Sequence, residues 1–413
     1  MENIENKNIW ILNHYAVAPN MPGGTRHHDF GKELVRRGYN VAIFASSFHY
    51  SQHRELKLKK KEKYKIENVN GINFVWIKTF PYQKNDWRRV LNMISYMWRV
   101  YWLGRKIRKT EKNIHKPDVI IGSSVHLLAV LSAYYLSKYY KARFIMEVGD
   151  LWPQSLIDIK KIGKNSFIAV FLRFLEKFLY KRSSKIIILS PLAKNYLTAI
   201  GINQEKINLI PNGADVSKYK IVFNKSASDK RFKIMYTGSI GVVNALEPAL
   251  PAMKIIQERG FKDIKLIFIG GGVEKSRLIE KAKRLKINNV DFLSFVPKAE
   301  VPSLLAKADA FLLMENKILY GSSNKLMDYM AAGRPIVFST PAEHNLVPDA
   351  NCGISASSQQ PSSLAAAIIE LYQMPPEKRR KMGKRGREYV EKYHNTPVLV
   401  DKLEKVFQEL SNE

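Results

Sequence analysis

Cysteine is almost absent: Cys352 is the single one among 413 residues. That excludes an internal disulfide framework and a cysteine-rich metal site. Long apolar runs are missing too, and none reaches the roughly 20 residues that a bilayer-spanning helix needs. The opening residues, Met1 to Lys7, are polar and acidic, so no secretory leader is expected and the chain reads as cytoplasmic. No G-x-G-x-x-G follows a strand pattern, which removes the dinucleotide fingerprint. No D-x-D offers an acidic metal site for a diphosphate. Acidic residues are scarce: 37 Asp and Glu stand against 67 Lys and Arg, a net charge of +30.

Such a surplus predicts an anionic partner. It is uneven. Residues 1–220 hold 38 basic and 16 acidic residues, the remainder 29 and 21. The chain is too long for one ordinary core, and 46% apolar residues suit a globular protein of two domains.

Continuous apolar runs mark strands buried on both faces, as in a parallel sheet covered by helices. They occur at 8–14, 40–46, 72–79, 118–124, 143–148, 185–190 and 207–213, with room for helices between most of them. A polar, patternless stretch at 214–231 interrupts the rhythm. It resumes at 232–239, 264–272, 290–296, 309–314, 335–340 and 352–357. The expected fold is α/β: two tandem doubly wound, Rossmann-like domains facing across a cleft, 1–213 and 232–395. A charged helical segment closes the chain, and residues 396–413 are expected to return to the first domain.

Ligands of such sheets lie at the carboxyl ends of strands. After the first strand, Gly23 and Gly24 precede a helix, as a close backbone approach to a ligand or a tight loop requires. After the fourth, His126 begins a helix, as a site residue or as a cap. After the fifth stand Glu147 and Asp150, two acids beside an apolar strand, functional or capping. In the second half, "TGSIGVVN" with Gly238 and Ser239, and "FIGGGVEKSRL" with Gly271 and Arg277, are Gly-rich turns that can present N–H groups to phosphate.

The richest stretch is "YGSSNKLMDYMAAGRPIV", 320–337. If Ser322 or Ser323 caps a helix starting at Asn324, its first N–H groups and dipole favour an anion, and Lys325 adds a full charge. Asp328 is three residues on, on the same face, placed to accept from a ribose diol. Phosphate plus diol describes a nucleotide.

These residues carry a resemblance. With "EVGDLWPQS", "SPLAKNYLTAIG", "LIPNGAD" and "FVPKAEVPSLLAKAD" in order, the chain resembles retaining GT-B glycosyltransferases of family 4. It is most similar to the branch making O-antigen, colanic-acid and capsule polysaccharides, including N-acetylfucosaminyl transferases. The resemblance implies a UDP-sugar donor bound by the two Gly-rich turns, Val296, Ser322, Ser323, Asn324, Lys325 and Asp328. It implies an undecaprenyl-diphosphate-linked saccharide acceptor, retention of configuration, no cofactor and no metal. Many members carry two glutamates eight residues apart. The second matches Asp328, but the first falls on Tyr320. The Arg usual after the first strand of the second domain is missing, so Lys325 carries more of the diphosphate charge. His126 matches a histidine that contacts donor sugar in relatives, and Asp150 is a candidate for the acceptor hydroxyl.

The N-terminal surplus of charge suits a protein peripheral on the inner face of the cytoplasmic membrane. The helical pattern at 85–112, with Arg88, Asn92, Ser95, Arg99 and Lys106 as a polar seam, and the basic run 56–65 are the expected contacts, with core packing the alternative for 85–112; 167–182 is a second candidate, with packing on the sheet as its competing expectation. Rival readings are a nucleic-acid-binding protein, although no such motif is present, an epimerase or phosphorylase on the same fold, and a weakly catalytic scaffold.

Overall fold

The computed structural model describes residues 7–84, 86–158, 161–221, 231–315, 323–341 and 346–411. Sixteen strands occur in it. They are β1 (Asn8–Leu12), β2 (Asn40–Ser46), β3 (Phe48–His49), β4 (Arg54–Glu55), β5 (Tyr64–Val69), β6 (Ile72–Ile77), β7 (Val119–Ser123), β8 (Arg143–Val148), β9 (Lys185–Ile188), β10 (Ile207–Leu209), β11 (Phe232–Thr237), β12 (Ile264–Ile269), β13 (Val290–Leu293), β14 (Ala310–Met314), β15 (Ile336–Ser339) and β16 (Gly353–Ala356).

Two large sheets result, ordered β10-β9-β8-β7-β1-β2-β6-β5 and β13-β12-β11-β14-β15-β16, beside the small β3-β4 pair. All pairings in the large sheets are parallel except β5 on β6. Helices cover both faces, so side chains such as Ile9, Trp10, Phe44, Ile120 and Ile145 are buried whichever way they point. The fold is therefore α/β with two Rossmann-like domains. Chain order reverses between β1 and β7 in one sheet and between β11 and β14 in the other. Those two switch points open crevices.

Two elements depart from the sequence reading. Strand β5 and the β3–β4 hairpin went unrecognised. In β5, "YKIENV" is a half-exposed edge strand whose alternation is hidden among lysines. The basic run before it is partly tied down. The Lys57 ammonium lies 4.9 Å from the Trp76 ring and pairs with Glu67 at 2.8 Å. The seam on the helix Trp87–Thr110 is divided. Asn92 is buried and donates to Thr79 Oγ1 and the Phe80 carbonyl; Ser95 accepts from the Phe80 N–H; Arg99 reaches the Lys78 carbonyl. Asn92 and Ser95 thus face the protein, whereas Arg88, Arg99 and Lys106 are exposed, as are Trp87, Trp98 and Trp102.

The closing helix, Thr396–Ser411, lies on the first domain. Leu399, Val400, Leu403, Val406, Phe407 and Leu410 share one buried cluster with Ile9, Ile43, Phe74 and Trp76. Arg37 ties it further, to Asp401 and Glu404. The chain thus crosses between domains twice, and the crossings touch: a Cβ on Gly213 would come within 2.1 Å of the His394 carbonyl.

Candidate functional site

The cleft between the domains holds a 770 Å³ cavity, with a 230 Å³ cavity beside it that shares Gly24, Tyr50, Asn324 and Lys325. The smaller cavity brings together Gly23, Gly24, Gly238, Ser239, Val296, Asn324, Lys325 and Asp328. These come from four loops far apart in the chain, each at the carboxyl end of a strand.

Lys325 lies at the start of the helix Asn324–Ala331. Its stem runs past Gly238, where φ is +130° and a Cβ would approach Lys325 Cδ to 3.2 Å. Desolvation lowers the Lys325 pKa, against the opposing charges of Glu315 and Asp328. A lysine kept partly out of water, facing a cavity, is held ready for an incoming anion. Asp328 is buried one turn on. Its Oδ1 accepts from the Tyr219 hydroxyl at 2.6 Å and its Oδ2 pairs with Lys298. Ser323 takes the N-cap position, but its hydroxyl makes no cap bond and has no partner among the described residues. Ser322 and Tyr320 lie outside the described residues.

The first domain closes over this site. Gly24 faces Asn324: a Cβ there would lie 3.1 Å from Asn324 Nδ2. The Ala299 N–H donates to the Pro19 carbonyl at 3.2 Å.

On the opposite wall the centre is Glu147, 4% exposed. It accepts from Arg26 Nε at 3.0 Å, His27 Nε2 at 2.6 Å and Ser123 Oγ at 3.0 Å. Burial would raise its pKa, but Arg26 and His27 outweigh that and hold the carboxyl below the usual range. The Tyr15 N–H donates to Asn13 Oδ1, which fixes the amide and directs Nδ2 toward His27 Nδ1 at 3.2 Å and Ser123 Oγ at 3.1 Å. His27 Nδ1 is thus the acceptor and Nε2 carries the proton given to Glu147. Arg26 spends its other donors on the Pro211 and Ile210 carbonyls. This network braces the loop after the Gly pair. Asp150 lines the larger cavity, and burial raises its pKa against the pull of Arg89.

Three sequence candidates stand elsewhere. His126 caps the helix Leu127–Tyr140, its Nδ1 accepting the Ala129 N–H, and its Nε2 lies 2.7 Å from His14 Nδ1. Both ring nitrogens are occupied, burial lowers its pKa to about 3, and it lines neither cavity. His14 in turn stacks between Tyr96 and Tyr15 at 4.3 and 4.6 Å, with Tyr15 on the cleft wall. Arg277 is paired with Glu247 and Glu274 at 2.7 and 2.6 Å, outside both cavities. The glycines around Gly271 serve the backbone. A Cβ on Gly270 or Gly272 would meet the Gly238 or Ile240 carbonyl at 1.9 or 2.3 Å, because the two Gly-rich turns cross there.

Arg26, His27, Tyr219 and Lys298 were not singled out from the sequence. "GGTRHH" could have flagged the first two; the others carry no local signal. Among the described residues no group of three His, Cys, Asp or Glu side chains is placed to hold a metal ion.

Two family models span the chain. "Glycosyltransferase Family 4" matches residues 23–218 and "Glycosyl transferases group 1" matches 218–389. The chain is a glycosyltransferase of the GT-B type. Among its sequence relatives is an uncharacterized glycosyltransferase, MJ1069, of Methanocaldococcus jannaschii. It is 23% identical over 268 residues, 62% of this chain and 67% of that protein. The amylovoran biosynthesis glycosyltransferase AmsK of Erwinia amylovora is 26% identical over 204 residues, 47% and 49% of the two chains. In solved structures, the sucrose-phosphate synthase of Thermosynechococcus elongatus superposes with a TM-score of 0.72, at 14% identity, covering 98% of this glycosyltransferase and 99% of that chain. HepE of Anabaena, in complex with UDP and glucose, gives 0.68 at 14% identity, covering 97% and 99%.

Proposed function

We propose that this glycosyltransferase moves a sugar, an N-acetylated amino sugar, from a UDP-sugar to an undecaprenyl-diphosphate-linked saccharide, with retention, in bacterial surface polysaccharide synthesis. The observation that carries the reading is Lys325: a desolvated ammonium beside Gly238, at the start of a helix, one turn before a buried carboxylate. The diphosphate would lie on Lys325 and the N–H groups opening the helix 324–331, with the ribose on Asp328. The UDP-bound HepE and the polysaccharide role in the name of AmsK support this reading.

In the proposed step the bond from the anomeric carbon to the diphosphate oxygen breaks and the acceptor oxygen bonds on the same face. The acceptor proton passes to the departing phosphate oxygen. Lys325 meets the charge that develops there, a form of electrostatic stabilisation, and chelators leave the rate unchanged. Asp150, at the cleft wall, holds the acceptor hydroxyl. Closure at Gly24–Asn324 excludes water and suppresses hydrolysis. The acceptor lies in an anionic membrane surface, on the inner face of the cytoplasmic membrane. No described helix is long and apolar enough to cross it.

Thermal-shift titration with UDP, GDP and their sugars tests the donor site. UDP raises the melting temperature of the wild type, and Lys325→Ala and Asp328→Ala each abolish most of that shift. Equal shifts in all three proteins would remove the site.

A further inference from the structure

Three neighbouring helices of the first domain leave large apolar side chains in solvent. On Phe167–Arg182 the inner face is complete, with Ala169, Leu175, Leu179 and Tyr180 buried. The outer face carries Phe167 at 84% exposure, Phe174 at 70%, and Ile168, Val170 and Phe171 each above half. Its last two turns carry exposed Lys177, Lys181 and Arg182. The one acid of the helix, Glu176, is buried. This outer face is therefore apolar at one end and cationic at the other.

Trp98 and Trp102 on Trp87–Thr110, and Tyr135 and Tyr139 on Leu127–Tyr140, extend the exposed band. Arg105 lies over the rings of Trp102 and Tyr139 at 5.1 and 4.7 Å.

Topology gives the band a direction. Phe167–Arg182 runs back between parallel strands β8 and β9, so its first turns lie at their carboxyl ends. That is the edge where Asp150 and Ser190 line the cleft. Trp87–Thr110 runs back between β6 and β7 and places exposed Trp87 and Val90 at the same edge.

We propose that this face seats in the interface of an anionic bilayer: Phe167, Ile168, Phe171 and Phe174 enter it while Lys177, Lys181 and Arg182 rest on its headgroups. An apolar stripe and a cationic patch together supply the two signals that stable peripheral anchoring needs. The cleft mouth is then tipped toward the lipid. The proposal rests on the lipid-linked acceptor reading above. It puts the main contact on Phe167–Arg182, the second candidate of the sequence, with the exposed Trp side of Trp87–Thr110 beside it.

Co-sedimentation of the full chain with phosphatidylglycerol-rich and pure phosphatidylcholine vesicles tests it, with UDP thermal shifts run on the same preparations. The variant Phe167→Ser/Phe171→Ser/Phe174→Ser loses at least about tenfold in vesicle binding and keeps the wild-type UDP shift. Lys177→Glu/Lys181→Glu loses the preference for phosphatidylglycerol. If no protein shifts with UDP while the triple variant still leaves the vesicles, the docking face stands and the transfer reading fails. Triple-variant binding equal to wild type overturns the proposal. So does a wild-type dimer that ignores vesicles and that the triple substitution dissociates, since a second copy then covers the face.

Discussion

Tyr219 donates its hydroxyl to Asp328, while the preceding residue, Lys218, pairs with Asp29 at 2.7 Å. Two consecutive linker residues thus reach in opposite directions. One holds a carboxylate of the second domain; the other holds the first turn of Arg26–Arg36 in the first domain, where Thr25 also bonds Asp29 at 2.6 Å. Tyr219→Phe removes a single hydrogen bond and leaves the ring. Its stability cost is about 1 kcal/mol. With the Asp328 carboxylate free to turn, KM for the UDP-sugar rises about five- to tenfold with kcat nearly unchanged, about 1–1.4 kcal/mol of binding. Steady-state kinetics check this; a fall in kcat alone would assign Tyr219 another task.

Lys325→Met separates function from stability. It discards a desolvated charge that no described residue hydrogen-bonds, and it keeps the stem against Gly238. Melting temperature holds or rises, while kcat/KM drops by about 10²–10³, the scale of removing one preorganised charge-stabilising group. The pH profile carries the same mark. A lowered lysine pKa means the ammonium is lost at a lower pH than usual, so the alkaline limb of the free enzyme falls early. Lys325→Arg moves that limb upward.

Glu176 provides a pH test of the core under the outer helix. It accepts from Tyr180 and Tyr196, both at 2.9 Å, and burial raises its pKa to about 7. The folded state therefore holds the proton that the unfolded state releases near pH 4.5. Its stabilising contribution is complete below that value and is lost as the pH rises to about 7, up to about 3 kcal/mol. Glu176→Gln removes this slope. Urea melts from pH 5 to 8 should show the variant gaining on wild type as the pH rises.

Gly238→Ala forces a side chain onto a backbone at φ +130° and into Lys325 Cδ. A cost of about 1–3 kcal/mol is expected from the strain. Activity falls further than stability, because Lys325 is displaced. A variant that melts lower but retains full kcat/KM would detach Lys325 from the chemistry.

Each expected strand run contains a strand, because a buried parallel strand must be apolar whichever neighbour it meets. The edge strand β5 was hidden, since one side faces water and Lys65 with the lysines before the strand masks the alternation. The inward part of the polar seam of Trp87–Thr110 was illegible for a related reason. Asn92, Ser95 and Arg99 find carbonyl, N–H and hydroxyl partners in the loop 78–80, and periodicity cannot show partners. The glycines at 270 and 272 read as phosphate contacts because glycine reports only that something comes close; here it is another turn of the chain.

Local pattern alone therefore determined the two α/β units and the turn-to-helix segment bearing Lys325 and Asp328. Those follow from short-range sterics and from the burial that a covered sheet imposes. Tertiary structure alone decided that Tyr219 and Lys298 hold Asp328, that Glu147 gathers Arg26 and His27, that Arg277 is paired away from the cleft and that His126 is enclosed. These partners lie tens to more than a hundred residues apart, and only the crossing of strands and loops at two switch points brings them within reach.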